Sequence, residues 1–299
     1  MSVRKYLERY WQLYLLLILP IAYFVIFKYL PMYGVIIAFK NYNIFQGIMK
    51  SPWVGLKIFK EVFSTDLFYT SLRNTILLNM GDLLLSFPAP ILLALLLNEF
   101  TNTKVARVTQ TIIYVPHFLS WVIVGGMVYQ VFASSGIINM IIAALGVQPV
   151  NFLSNKVWWI FVYIIVGIWH SAGYGTIIYL AALTSIDPEL YDAAYVDGAN
   201  RWKRMWYITL PGIKSTIVIL LILQLGKIMN ISFERPFLLQ NSLVTDVSKV
   251  ISIYVYEMGL QSGRFDFATA VGLFQSLVGL IMLVTVNQIA KRLGEEGVM

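Results

Sequence analysis

Apolar residues run along this chain in long stretches separated by shorter polar segments. A helix needs about 20 mostly apolar residues to cross roughly 30 Å of hydrocarbon. Six stretches approach or exceed that length, at about residues 10–27, 72–97, 111–132, 157–183, 212–232 and 267–289. The first continues past Lys28 towards Phe39, the second contains Asp82 and the fifth contains Lys227. Arg4, Lys5 and Arg9 precede the first stretch as they would in a signal peptide. No small-x-small cleavage pattern follows, and Pro20 sits mid-run, so an uncleaved first span is expected.

Placement of Lys and Arg sets orientation. With the N-terminus inside, the inside segments are about 1–12, 98–109, 184–214 and 290–299. They carry Arg4, Lys5, Arg9, Lys104, Arg107, Arg201, Lys203, Arg204, Lys214, Lys291 and Arg292, half of the 22 basic residues. Six spans with both termini cytoplasmic is the consistent solution, in a single membrane domain over 1–299. The outside loops, about 40–70, 133–156 and 233–266, are too long for tight turns and should form ordered caps.

Composition removes other classes. Charged residues make up 12% of the 299 and hydrophobic ones 59%; mean hydropathy is +0.73. A soluble domain carries about twice that share of charge. The +7 net charge therefore suits cytoplasmic loops rather than nucleic acid. With no cysteine, disulfides and thiolate metal sites are excluded. His117 and His170 both lie in apolar stretches, where a helix residue bonded to its neighbour is the plain reading. Gly226-Lys227 is followed by Ile228 and lacks the upstream glycine of a phosphate-binding loop. No G-x-S-x-G elbow occurs.

The segment between the fourth and fifth stretches is the most informative. Asp187 is suited to an N-cap, Pro188 to the first helical position and Glu189 to the positive end of the dipole. Gly198 is suited to the left-handed residue that stops a helix. A helix over Pro188–Asp197 follows, with small Ala193 and Ala194 beside Leu190, Tyr191 and Tyr195, and with Asp192 and Asp197 as anchors for basic groups. Trp202 and Trp206 are spaced to share a face. Beside Arg201, Lys203 and Arg204 they suit the headgroup boundary. An ordinary amphipathic loop and a docking element both fit this pattern.

Asp192-Ala193-Ala194, then Asp197-Gly198-Ala199, then nine residues after Gly198, Ile208-x-Leu210-Pro211 resembles the EAA loop. That loop marks permease subunits of binding-protein-dependent ATP-binding-cassette (ABC) importers. Asp192 stands where the family usually has glutamate, one methylene longer. Further pieces are similar to the carbohydrate branch, in the multiple-sugar or lipoprotein-type group: Tyr14 to Pro20, Phe27 to Gly34, Phe87-Pro88-Ala89-Pro90, Ala94 to Glu99, Tyr254-Val255-Tyr256 and Ala268 to Leu273.

The resemblance implies the type I importer fold, an all-α membrane protein of six transmembrane helices in a bacterial plasma (inner) membrane. It also implies partners. Two permease subunits, the second a different chain, would form the pore. Residues 187–211 would be the coupling loop, inserted into one of two ATPase subunits, which hold the ATP and Mg; this chain would bind no cofactor. A lipid-anchored or periplasmic solute-binding protein would hand over an oligosaccharide or polysaccharide fragment.

Charges at membrane depth are costly and face a cavity or a partner. On a continuous helix Gln224, Lys227, Asn230 or Ile231, and Glu234 share one face. That face could line the sugar path, with Lys227 attracting an acidic sugar. It equally suits a seam with the second permease, or a Lys227–Glu234 pair. Asn74, Asn79 and Asp82 in the second stretch could face the pore or Lys227, or bind between helices. Trp169, His170 and Tyr174 could stack on sugar rings or pack. Asp66, Asp246 and Glu257 fall in loops as solvated groups. A self-sufficient carrier would show paired repeats or matching broken spans, and none is visible. An intramembrane enzyme would need clustered acid–base or nucleophilic groups, which the two separated histidines do not supply.

Overall fold

The computed structural model describes residues 3–292 together with Gly294 and Gly297, with side chains from Arg9 onward. The side chains of Arg4 and Lys5, and most of 293–299, lie outside the described residues. Among the described residues the chain is helical throughout, with one isolated bridge between Lys40 and Trp53. Five runs are long and apolar enough to cross a membrane: Arg9–Phe39, Asp66–Asn98, Trp121–Ala144, Lys156–Leu183 and Phe265–Arg292. A sixth is a bent pair, Arg201–Gly212 and Lys214–Gly226, which meet at 58° beside Pro211.

Two stretches differ from their sequence boundaries. The third breaks into a helix Thr103–Tyr114, a 3-10 turn Val115–Phe118 and a helix Trp121–Phe132. Pro116 cannot continue an α-helix, and Ser120 starts the next one by accepting from the Ile123 amide. The apolar run continues to Ser232 in the fifth stretch, but its helix ends at Gly226.

Cα packing divides the chain into two compact units. Residues 1–64 and 255–274 form one. Its apolar run, Arg9–Phe39, is exposed along most of its length, with Leu16 and Leu19 at 68% and 78% and Ala38 buried near its end. Apolar surface of that extent is the mark of a side that faces lipid or a partner chain. Beyond its apolar run this unit is tied by Arg264. Its guanidinium donates to both Glu61 carboxylate oxygens, at 2.8 and 3.0 Å, and to Asp266. Hydrogen bonding to Arg264 holds the Glu61 carboxyl below its usual range. A depressed carboxylate contributes stability above its unfolded pKa and loses it as pH falls through the folded one. Both partners are more than a third exposed, so about 1 kcal/mol is the ceiling. Amide exchange over Lys57–Phe63 should therefore quicken modestly on acidification in the wild type, and Glu61→Gln should remove that pH dependence.

Residues 65–254 and 275–299 form the other unit. Its core gathers around the helix Lys156–Leu183, where Trp159, Val162 and Tyr163 pack with Leu78, Val124, Leu239 and Ile253. A second cluster nearer the other end joins Ile91 and Leu95 to Tyr179, Leu183 and Ile213. The loops expected to form caps carry ordered contacts in this unit. Asn139 bonds to Ala133 and Val150, and Lys156 pairs with Asp246, whose carboxyl it lowers.

Candidate functional site: a polar cavity and an exposed loop helix

Within the larger unit a cavity of about 380 Å³ opens between three apolar helices. Its polar lining comes from Asp82, Ser86, Ser171, Gln224, Lys227 and Arg235. Phe87 and Tyr179 supply aromatic wall. Asp82 and Ser86 begin and end a π-turn within Asp66–Asn98, a widened turn that frequently marks functional sites. Asp82, Ser86 and Pro90 follow at intervals of four, so they share the side of this helix that meets the cavity.

Arg235 is the residue the sequence reading missed. It sits in a short helix, Glu234–Leu239, within the segment that the sequence reading assigned to the last outside loop. Its guanidinium donates to both Asp82 oxygens at 2.9 and 3.2 Å and to the Tyr163 carbonyl. It lies 3.5 Å from the Tyr163 ring centroid. Bidentate and stacked contacts of this kind are what a planar guanidinium makes and an ammonium cannot. Gly167 leaves the room, since a Cβ there would collide with the guanidinium. Arg235→Lys would lose both the fork and the stack.

The predicted continuous face over Gln224, Lys227, Asn230 and Glu234 does not form. Gln224 and Lys227 line the cavity, but the helix ends at Gly226, and Asn230 and Glu234 are exposed and do not line it. Unwound backbone at membrane depth requires partners for its freed carbonyls. Asn79 Nδ2 donates to the Ile228 carbonyl at 2.6 Å, and Gln275 Nε2 to that of Met229 at 2.7 Å. Asn79 thus ties its helix to the unwound segment and is not among the residues that line the cavity. Trp169 lines a different, apolar cavity with Val124 and Met127. His170 stacks on Trp121 and bonds to the Leu119 carbonyl, and Tyr174 stacks on His117.

The charge arithmetic of the cavity is simple. Arg235 occupies the carboxylate of Asp82. Lys227 is exposed to the cavity and makes no ion pair among the described residues. One positive charge is left facing the space.

The loop helix runs Pro188–Val196, with Asp187 capping it by accepting from the Glu189 amide at 2.9 Å. Its end is a Schellman turn. The Ala199 amide donates to the Ala194 carbonyl and the Gly198 amide to that of Tyr195, with Gly198 at φ +73°. Tyr191 Oη meets Thr209 Oγ1 at 3.0 Å, which fixes the helix to the returning chain. Asp192, Ala193 and Asp197 are exposed, and so are Leu190, Tyr195 and Val196, the last two at 73% and 84%. Ile208 lies in a π-turn, Leu210 packs into the second core cluster, and Pro211 is exposed at the bend.

An all-helical, multi-span chain with a polar cavity among its helices has the make-up of a membrane transport component. Residues 86–295 match the family described as binding-protein-dependent transport system inner membrane component, and the chain belongs to that family of ABC transport permeases. Protein LplB of Bacillus subtilis (strain 168) is 49% identical over 286 residues, covering 95% of this chain and 90% of that one. The polygalacturonan/rhamnogalacturonan transport system permease protein YteP of the same organism is 47% identical, covering 96% and 89%. A chain of a solved bacterial ABC transporter involved in the import of the acidic polysaccharide alginate superposes with a TM-score of 0.88 at 40% identity, over 97% of this chain and 98% of that one. A chain of a bacterial alginate ABC transporter solved with its alginate pentasaccharide-bound periplasmic protein gives 0.90 at 39% identity, over all of both chains.

Proposed function

We propose that this chain is one half of the pore of an ATP-driven bacterial importer, and that its cargo is an acidic oligosaccharide. The observation that carries the cargo is the unmatched Lys227 in a cavity whose only acid is already bound by Arg235. A fixed cation in a partly water-excluded space favours carboxylates. Hydroxyls find Ser86, Ser171 and Gln224 around it. The volume of about 380 Å³ is at the small end of ligand sites, and a partner permease across the pore would complete the enclosure. The relatives named for polygalacturonan and alginate handle acidic sugars, which supports the same cargo.

In this reading both termini face the cytoplasm. The loop 187–211 docks on a separate ATPase, with exposed Leu190, Tyr195 and Val196 as the apolar part of the contact and Asp192 and Asp197 as its charged part. Ala193 and Ala194 allow close approach. ATP and Mg belong to the ATPase pair, and an extracytoplasmic binding protein delivers the sugar. This chain carries conformation rather than chemistry.

The test is uptake by the assembled transporter, wild type and Lys227→Gln, with uronate and neutral oligosaccharides of matched length. A charge-assisted contact contributes about 1.5–3 kcal/mol, so uptake of the acidic cargo should fall about tenfold or more with the neutral one little changed. Equal losses for both would remove Lys227 from substrate recognition.

A further inference from the structure

A third cavity lies on the far side of the helix that carries Asp82. Pro88, Leu92 and Leu96, again four apart, line an apolar groove of about 280 Å³ closed by Trp202, Trp206 and Leu210. Pro90 faces the polar cavity, and Leu92, two residues on, is turned about 200° from it around the helix. The groove therefore faces away from the polar cavity. Trp202 and Trp206 also border an adjoining cavity of about 360 Å³ with Asn200, Lys203 and Tyr207. From Gly198 to Lys214 the chain holds Arg201, Lys203, Arg204 and Lys214 and no acid. Arg204 Nε is buried without a hydrogen-bond partner among the described residues. An apolar slot thus adjoins, across two shared indoles, a polar pocket lined by Asn200, Lys203 and Tyr207.

We infer that this pair of cavities binds an anionic membrane phospholipid. One acyl chain lies along Leu92 and Leu96, and the phosphate is held by Lys203 with Arg201 and Arg204 beside it. Indoles prefer the boundary between acyl chain and headgroup, and basic side chains near a bilayer surface favour anionic lipids. The lipid would brace the segment Arg201–Gly212 at its 58° bend into the fifth span. That segment joins the loop helix to the membrane, so the lipid stabilises the geometry through which the loop is held.

The test uses the assembled transporter in phosphatidylcholine vesicles that contain either brominated phosphatidylglycerol or brominated phosphatidylcholine. The signal is the fluorescence difference between the wild type and Trp202→Phe/Trp206→Phe, which isolates two of the eight tryptophans. Phosphatidylglycerol should quench that difference preferentially, and removing one basic side chain by Lys203→Gln or Arg201→Gln should lower the preference about fivefold. Equal quenching by the two lipids would overturn the proposal in favour of ordinary bilayer contact. No quenching by either would overturn it in favour of a protein partner over the groove. Mass spectrometry of lipid retained by the wild-type transporter after detergent washing gives a readout independent of the variants. Retained phosphatidylglycerol supports the site, and its absence refutes it. Neither measurement depends on the cargo.

Discussion

Arg235→Met is expected to leave little assembled transporter in the membrane, and Asp82→Leu/Arg235→Met to recover most of it. The guanidinium is 11% exposed and the carboxylate 15%. Removing one member of a buried pair strands the other charge, at about 3–5 kcal/mol. Asp82 lines a cavity and is not fully buried, which puts the single variant near the lower end of that range. It is still a large fraction of a domain's marginal stability. Replacing both members leaves no stranded charge, and such double replacements are often close to neutral. Extraction yield and the thermal midpoint of the detergent-solubilised transporter measure both effects. A double variant as poor as the single one would mean that the Tyr163 stack and the fit at Gly167, rather than charge, hold the site. The single variant also frees Asp82 to pair with Lys227. Whatever protein does assemble should then lack the preference for acidic cargo proposed above.

The elements legible in the sequence are those governed by local chemistry. The helices Lys156–Leu183 and Phe265–Arg292 lie within a few residues of their apolar runs, because nothing interrupts them. The loop helix was readable to its caps, since Asp187, Pro188 and Gly198 act on neighbours. The end of the fifth helix was not readable. Apolar composition continues past Gly226, and the side chain that stabilises the unwound Ile228 comes from Asn79, 149 residues away. Arg235 escaped for a related reason. A charge beside Pro236 in a mixed segment reads as part of an outside loop, and only the fold brings it to Asp82, 153 residues away. The polar cavity therefore combines two residues visible from hydropathy, Asp82 and Lys227, with one that only tertiary structure supplies.

Gly198→Leu should abolish most cargo-stimulated ATP hydrolysis and uptake while leaving membrane insertion intact. Gly198 has φ +73°, a region that costs an ordinary L-residue about 1–2 kcal/mol. Space is not the obstacle, since a Cβ there would meet nothing within 4 Å. The strain can be relieved only by turning the backbone out of the left-handed region. That breaks the paired bonds from Gly198 and Ala199 to Tyr195 and Ala194 and re-aims everything from Asn200 to the bend. The helix that carries the exposed Leu190, Tyr195 and Val196 then no longer stands in fixed register with the returning chain, to which Tyr191 and Thr209 tie it. The spans themselves do not depend on this turn, so extraction yield should stay near that of the wild type. Gly198→Asn is the discriminating companion, because asparagine tolerates the left-handed region better than other side chains. It should retain much more activity than the leucine variant, although it too adds a side chain at the same exposed point. If both variants fail alike, the surface at Gly198 is itself in contact with the ATPase. If both work normally, the loop 187–211 is not the coupling element.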